Sequence, residues 1–403
     1  MSKARSAAVS FIFITVLLDV IGFGIIIPIL PKLLSELMAI EVNEASQYGG
    51  YLLFAFAIAQ FVFSPIMGNL SDQYGRRPVL LFSLAGFTLD YLLLAFANSF
   101  PLFLIGRVIA GMFGASFTTA NAYIADISTD EDRSKNYGML GAAFGMGFVV
   151  GPLLGGVLGS YGLRLPFFVA AGLTFANFLY GYFILPESLA LENRRPFEWK
   201  KSNPFSTISQ LAEYKSLLLL FVVFFLSNVG VHAVNSNWSY FAMYKLEWSE
   251  MMIGFSLAVA GILVGITQAG LAQKAADYLG LGRSIYIGFA LYTLGMLLFS
   301  FASATWMMFV FLIPYCLGGI AGPNIMAFTT SQVPKNEQGK LQGGITSLIS
   351  VTSIIGPIAM TSLFTFFTSD RAPVQFAGAP FLLGAILIGA STIFCYLAVR
   401  KEQ

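Results

Sequence analysis

The sequence is short of charge. Lysine, arginine, aspartate and glutamate make up 10% of its 403 residues, against 57% hydrophobic side chains. Soluble domains carry roughly a quarter charged residues. A chain of this length could not hide so much apolar surface from water, which excludes a water-soluble globular protein. One histidine, His232, and two cysteines, Cys316 and Cys395, are present, all inside apolar stretches. That set is too sparse for a zinc site or a disulfide framework, and it leaves an enzyme without a nucleophile–base pair. The net charge of +2 gives no basis for nucleic-acid binding. No Gly-x-x-x-x-Gly-Lys-Ser/Thr loop occurs, which argues against an ATP-driven pump. No metal or cofactor is expected.

What the chain does have is continuous apolar runs, such as Leu217 to Leu226. Barrel strands would alternate apolar and polar residues. In lipid every backbone polar group must be satisfied within the segment, so these runs read as helices. Spans are predicted at 8–30, 48–70, 78–97, 101–126, 136–160, 165–185, 216–242, 250–273, 284–302, 305–330, 341–367 and 376–399, each near or above the ~20 residues a crossing helix needs. The first could be taken for a signal peptide, but it holds Asp19 and lacks a small-residue cleavage site. Twelve spans put both termini on one side.

Basic residues say which side. With the first loop outside, the inward segments hold Lys3, Arg5, Arg76, Arg77, Arg133, Lys135, Arg194, Arg195, Lys200, Lys201, Lys215, Lys274, Arg283, Lys335, Lys340, Arg400 and Lys401, and the outward ones only Lys32, Arg164, Lys245 and Arg371. The positive-inside rule then places both termini in the cytoplasm. The one long polar stretch, Pro186 to Ser216, divides six spans from six and reads as a cytoplasmic linker. The expected organisation is a bundle at 1–185, a linker at 186–215 and a bundle at 216–403.

The halves resemble each other. Phe103-Leu-Ile-Gly-Arg-Val-Ile-Ala-Gly-Met-Phe-Gly114 aligns with Phe311-Leu-Ile-Pro-Tyr-Cys-Leu-Gly-Gly-Ile-Ala-Gly322, and Gly138 and Gly151-Pro152 align with Gly343 and Gly356-Pro357. Gly86-Phe-Thr-Leu-Asp90 matches Gly288-Phe-Ala-Leu-Tyr292. The shared order implies a duplicated six-helix unit: an all-α membrane protein of twelve transmembrane helices in two pseudo-symmetric bundles. Parallel repeats suit alternating access around a midplane site. Under this alignment Asp90 becomes Tyr292 and Arg107 becomes Tyr315, so buried charge is confined to the first half.

Asp19 lies near the middle of the first span, where an ionisable residue costs roughly 2.5–3.5 kcal/mol on insertion scales and usually serves a cavity or a proton path. The alternative is a static hydrogen-bonded acid. Asp90, toward the outer half of the third span, is a second proton site or an acid near outer water. Arg107 is the only basic residue inside a span and stays charged, so it needs a partner. Gln60, Asn228, His232, Asn235, Gln268, Tyr292 and Asn324 are the candidates for a polar pocket within the spans.

Gly68-Asn-Leu-Ser-Asp-Gln-Tyr-Gly-Arg-Arg-Pro-Val-Leu-Leu81 puts Asp72, Arg76, Arg77 and two glycines between two spans. This stretch resembles the loop 2–3 signature of the major facilitator superfamily. Arg107-Val-Ile-Ala-Gly111 is similar to the fourth-helix proton-transfer motif of its twelve-helix drug/proton antiporters. Gly145-Met-Gly-Phe-Val-Val-Gly-Pro-Leu-Leu-Gly-Gly156 is similar to their fifth-helix antiporter motif. Leu17-Leu-Asp, Leu89-Asp-Tyr-Leu-Leu-Leu-Ala-Phe96 and Gly254-Phe-Ser-Leu-Ala258 resemble bacterial tetracycline/proton antiporters in particular. Those antiporters carry a further acid in the ninth helix, at the position of Tyr292, and some carry a histidine at that of Val264.

The resemblance implies a secondary transporter of the bacterial inner membrane that exports an amphipathic organic compound in exchange for protons, acting as a monomer. Importing a small metabolite by symport or facilitation is the alternative. Asp19 is expected to carry the proton, with Asp90 auxiliary. Arg107 is expected to pair with Asp19, because the first and fourth helices of this fold line the cavity. Asp72, Arg76 and Asp126 are expected to latch the outward-open state. Gly68 is expected to allow close helix approach, and Gly75 a turn with positive φ. Gly145, Gly147, Gly151, Pro152, Gly155 and Gly156 make a small-residue packing face.

Overall fold

The computed structural model describes residues 3–114, 116–199, 203–334 and 337–401. Lys200, Lys201 and Lys335, used above for orientation, lie outside them. Among the described residues, twelve helices are long and apolar enough to cross a membrane, as the apolar runs predict.

The first six spans are α1 (Lys3–Ile26), α3 (Val42–Tyr74), α4 (Arg76–Phe96), the pair α5 (Phe100–Phe113) and α6 (Ser116–Ile127), α7 (Asp130–Tyr161) and α8 (Leu165–Ile184). A short α2 (Leu30–Met38) follows the first, so the predicted span 8–30 overruns: the helix stops at Ile26 and a turn precedes Pro31. A seven-residue α9 (Phe205–Leu211) precedes the seventh span, α10 (Leu218–Leu246). The eighth is α11 (Glu250–Ile266), a π-helical turn at Thr267–Leu271, and α12 (Ala272–Leu279). Then come α13 (Leu281–Ser300), α14 (Thr305–Leu317) with α15 (Ala321–Ser331), α16 (Gln338–Thr368) and α17 (Ala379–Lys401).

Two compact units result: one of residues 1–39, 55–203 and 249–258, the other of 40–54, 204–248 and 259–403. In the first, α1 packs on α7 and α8, and α4 on α8 and α5. In the second, α10 packs on α16 and α17, and α13 on α17 and α14. These pairings correspond span for span, so the repeat is one of packing as well as sequence. Its details agree too. Gly75 with φ 106° precedes α4 and Gly280 with φ 80° precedes α13, a conformation that glycine adopts without a Cβ penalty. The tenth span breaks into a 3-10 turn at Gly318–Ile320, at the Gly318-Gly319 pair, where glycine is a poor helix former. The fourth span changes helix at Gly114, which aligns with Gly322, two residues beyond that turn.

Several buried polar side chains are answered by hydrogen bonds within or between helices. Thr88 Oγ1 donates to Leu84 O at 2.9 Å, and Asn177 Nδ2 to Thr15 Oγ1 at 3.0 Å, tying α8 to α1. Close packing carries the rest. A Cβ on Gly155 of α7 would fall 2.8 and 2.9 Å from the Ile25 backbone C and Cα of α1. Gly147 and Gly151 meet α1 in the same way, whereas Gly145 has open space beside it. The antiporter-like face is thus a seat for α1 along most of its length.

Gly155→Val is therefore expected to push α1 from α7 and to cost about 1–3 kcal/mol, seen as a lower unfolding temperature in detergent. Gly172→Ala on α8, where nothing lies within 4 Å, should leave it unchanged or slightly raised.

Candidate functional site

α4 and α5 form an antiparallel hairpin around Ala97–Ser99. Asp90 lies about 9 Å before that turn and Arg107 about 10 Å after it, at ~1.5 Å per helical residue. The two therefore share a depth. Arg107 Nη2 donates to Asp90 Oδ2 at 2.6 Å, with Asp90 fully buried and the Arg107 side chain 12% exposed. Gly106 makes the room, since a Cβ there would fall 2.8 Å from Asp90 Oδ1. That oxygen is buried and has no hydrogen-bond partner among the described residues, an open acceptor next to a fixed cation. The geometry corrects the expectation that Arg107 pairs with Asp19: its ion pair is with Asp90, because a tight hairpin brings equal depths together without a second element.

Asp19 remains in the same unit, half-buried on α1. One turn on, Gly22 admits the Tyr91 hydroxyl, which a Cβ there would strike. Tyr91 adjoins Asp90 in sequence, and its hydroxyl brings α4 against α1 one turn from Asp19. The Asp90–Arg107 pair of α4 and α5 thus lies beside a tyrosine that reaches α1 one turn from Asp19. At the aligned positions of the second unit, Tyr292 and Tyr315 pack edge to face with centroids 5.1 Å apart. The contact is kept and the charge is gone.

At the other end of α4, the Arg76 side chain is 10% exposed. Its Nη1 donates to Ser71 Oγ at 2.6 Å and to Asp72, and its Nε to Asp126 Oδ2 at 3.2 Å. The expected charge network is assembled. Arg77 turns away, donating to Tyr182 O at 2.7 Å with its guanidinium over that ring. Gly68 is corrected: nothing lies within 4 Å of a Cβ there, so it makes no close helix approach.

The pocket candidates separate. Gln60 belongs to the first unit and donates to Gly114 O at 3.3 Å. Asn228 bonds its own helix at Phe224 O. The His232 ring is held against Gly356, and Asn235 is exposed. Gln268, on the π-helical turn, and the Tyr292 hydroxyl both lie beside Gly319. Asn324 is corrected from pocket donor to structural tie, since it is buried and donates to Ala272 O and Ser284 Oγ at 3.2 and 2.8 Å.

The sequence reading missed two acids. Glu187, past the sixth span, accepts from the first turn of α4; Leu-Pro-Glu-Ser directly after a span was the available signal. Glu250, at the start of α11, is buried and sits 2.9 Å from Lys32 Nζ of α2. That contact with the Glu250 carboxylate, opposed by partial burial, raises the Lys32 amine above the ordinary lysine value.

A family model of the Major Facilitator Superfamily matches residues 12–357 and 244–403. The tetracycline resistance protein, class C, of Escherichia coli is 38% identical over 387 residues, 96% of this chain and 95% of the relative. The class H protein of Pasteurella multocida is 34% identical over 398 residues, 98% and 97% of the two chains. The solved structure of the human organic anion transporter MFSD10 (TETRAN) is similar with a TM-score of 0.73 at 22% identity, covering 97% of this chain and 99% of that one. At that identity the likeness speaks for the fold.

Removing one member of the buried pair, by Arg107→Ala, is expected to cost about 3–5 kcal/mol, and the double replacement Asp90→Asn with Arg107→Gln to recover much of it; thermal unfolding in detergent measures both. The contribution of Lys32 is complete below the unfolded lysine value of 10.5 and is lost as pH rises through the higher folded value. Glu250→Gln should return the Lys32 amine toward the ordinary range, seen as faster amine labelling at pH near 10.5.

Proposed function

The chain belongs to the major facilitator superfamily, and from that premise we propose that it exports an amphipathic, tetracycline-like compound in exchange for protons by alternating access. The observation that carries the reading is the Asp90–Arg107 pair, with one carboxylate oxygen left open. Arg107 cannot discard its charge at biological pH. Asp90 can. Movement of α5 against α4 by a few ångströms would leave Asp90 as a buried carboxylate without its counter-charge, a state that proton uptake relieves. The freed guanidinium then attracts the nearest other anion, and Asp19 in the same unit is the candidate. Re-forming the pair expels the proton. The proton is thus loaded and released by making and breaking one ion pair.

The remaining parts follow. The six-helix bundles at 1–185 and 216–403 are the bodies that rock, joined by the linker 186–215. Both termini face the cytoplasm of the inner membrane. The Asp72–Arg76–Asp126 network latches one end of the cycle. In the second unit, α10, α13, α14, α15, α16 and α17 carry no aspartate or glutamate, and Asp277 lies exposed at the end of α12. Proton handling therefore falls to the first unit, while Gln268 and Tyr292 offer the second unit's polar contacts to the cargo. The protein works as a monomer.

Purified protein in liposomes holding a pH dye, challenged with tetracycline, tests the reading. Substrate-dependent proton movement is expected, with Asp90→Asn and Asp19→Asn each lowering it at least tenfold in folded protein. Everted vesicles energised by respiration should accumulate tetracycline, whereas depletion would give import by symport instead.

A further inference from the structure

The first N–H groups of a helix have no partner within it. α4 begins directly after Gly75, whose missing side chain cannot cap it. The cap comes from 111 residues further along the chain. Glu187 Oε1 accepts from Arg76 N at 2.8 Å, and Oε2 from Arg77 N at 3.2 Å. The same Oε1 accepts from Ser188 N and Leu189 N, both at 3.0 Å, so one carboxylate binds the end of the sixth span to the start of the third. A Cβ on Gly75 would collide with that carboxylate, which gives this glycine a second reason beyond its φ of 106°.

The contacts continue past Glu187. Ser188 Oγ donates to Asp126 Oδ2 at 2.9 Å, on the very oxygen that Arg76 Nε engages. Arg195 N donates to Asp72 O at 3.1 Å, and Asn69 Nδ2 to Glu198 O at 2.8 Å. The linker therefore clasps both acids that Arg76 holds, one by its side chain and one by its backbone.

We infer that Glu187 is a positioning residue of the gate: it caps α4 from the linker and fixes Arg76 between Asp72 and Asp126, so that linker and latch act as one element of the transport cycle. The carboxylate also answers the positive end of the α4 dipole, which an amide would do less well. Glu187 touches neither cargo nor proton. Its effect reaches transport through Arg76 alone, and the inference rests on the transport reading above.

Two measurements on the full-length protein test it together. Amide hydrogen exchange over residues 69–79 reads the clasp without any substrate, and initial rates of tetracycline-driven proton movement in liposomes read the gate. In Glu187→Ala, exchange of the Arg76 and Arg77 amides should quicken at least tenfold. The maximal rate should fall about tenfold, with half-saturation unchanged within twofold. Glu187→Gln, which keeps an acceptor oxygen, should restore a good part of both, and it serves if the alanine variant does not fold. Unchanged exchange would overturn the cap. Faster exchange with an unaltered maximal rate, or a loss confined to half-saturation, would overturn the positioning role. If the unmodified protein moves no protons with tetracycline, the transport reading fails and the gating role with it, while exchange still decides the cap.

Discussion

Hydrocarbon offers no hydrogen bonds, and most features of this protein answer that constraint. The spans are helices, which satisfy most of their backbone groups within the segment. Hydroxyls fold back on carbonyls of the same helix, as Thr88 does on Leu84 and Thr361 on Pro357. With no aqueous drive to press helices together inside a bilayer, close contact must come from small residues. The seat of α1 on Gly147, Gly151 and Gly155 supplies it. Against this background the charges of the first unit stand out, because each must be answered by another group at the same depth.

The repeat offers an internal comparison. At aligned positions the first unit places an ion pair and the second an edge-to-face tyrosine pair. Replacing a buried ion pair by well-packed larger groups is often neutral or stabilising, so stability alone gives no reason to keep Asp90 and Arg107. The second unit shows that the fold accommodates an aromatic contact there. Retained charge in one copy, together with an open carboxylate oxygen, points to work done by ionisation.

Much of this was legible in the sequence. Continuous apolar runs located the twelve spans, because helices in lipid need nothing from their neighbours to satisfy the backbone. The loop between Gly68 and Leu81 disclosed its network through resemblance to the loop 2–3 signature, since Asp72 and Arg76 stand on different helices either side of Gly75. Partners chosen by three-dimensional adjacency were harder. Arg107 was assigned to Asp19 from the general layout of the fold, although counting residues from the Ala97–Ser99 turn would have matched it with Asp90. Asn324 reads in sequence as a pocket candidate because its acceptors, Ala272 and Ser284, come from other helices. Glu187 passed unnoticed since a helix cap is sought just before the helix, and here it arrives from the far end of the unit.

One helix connects these features. α4 runs 21 residues, about 30 Å, with its first turn held by Glu187 and Arg76 and its outer third carrying Asp90. The intervening stretch, Val79 to Phe87, is one continuous helix, largely buried, with no proline to kink it. Under the proposed function, a change of charge at Asp90 that lets α5 move would be felt about 21 Å away at Arg76 as motion of a stiff rod. The clasp by the linker then matters for a mechanical reason. A rod transmits displacement only if its far end is attached to the part that must move, and Glu187 makes that attachment by gripping the backbone amides of Arg76 and Arg77 with its carboxylate. The same reasoning explains why the latch acids are gripped twice. Arg76 alone could swing free on its long side chain, whereas hydrogen bonds from Ser188 to Asp126 and from the Arg195 amide to Asp72 hold the frame in which it acts.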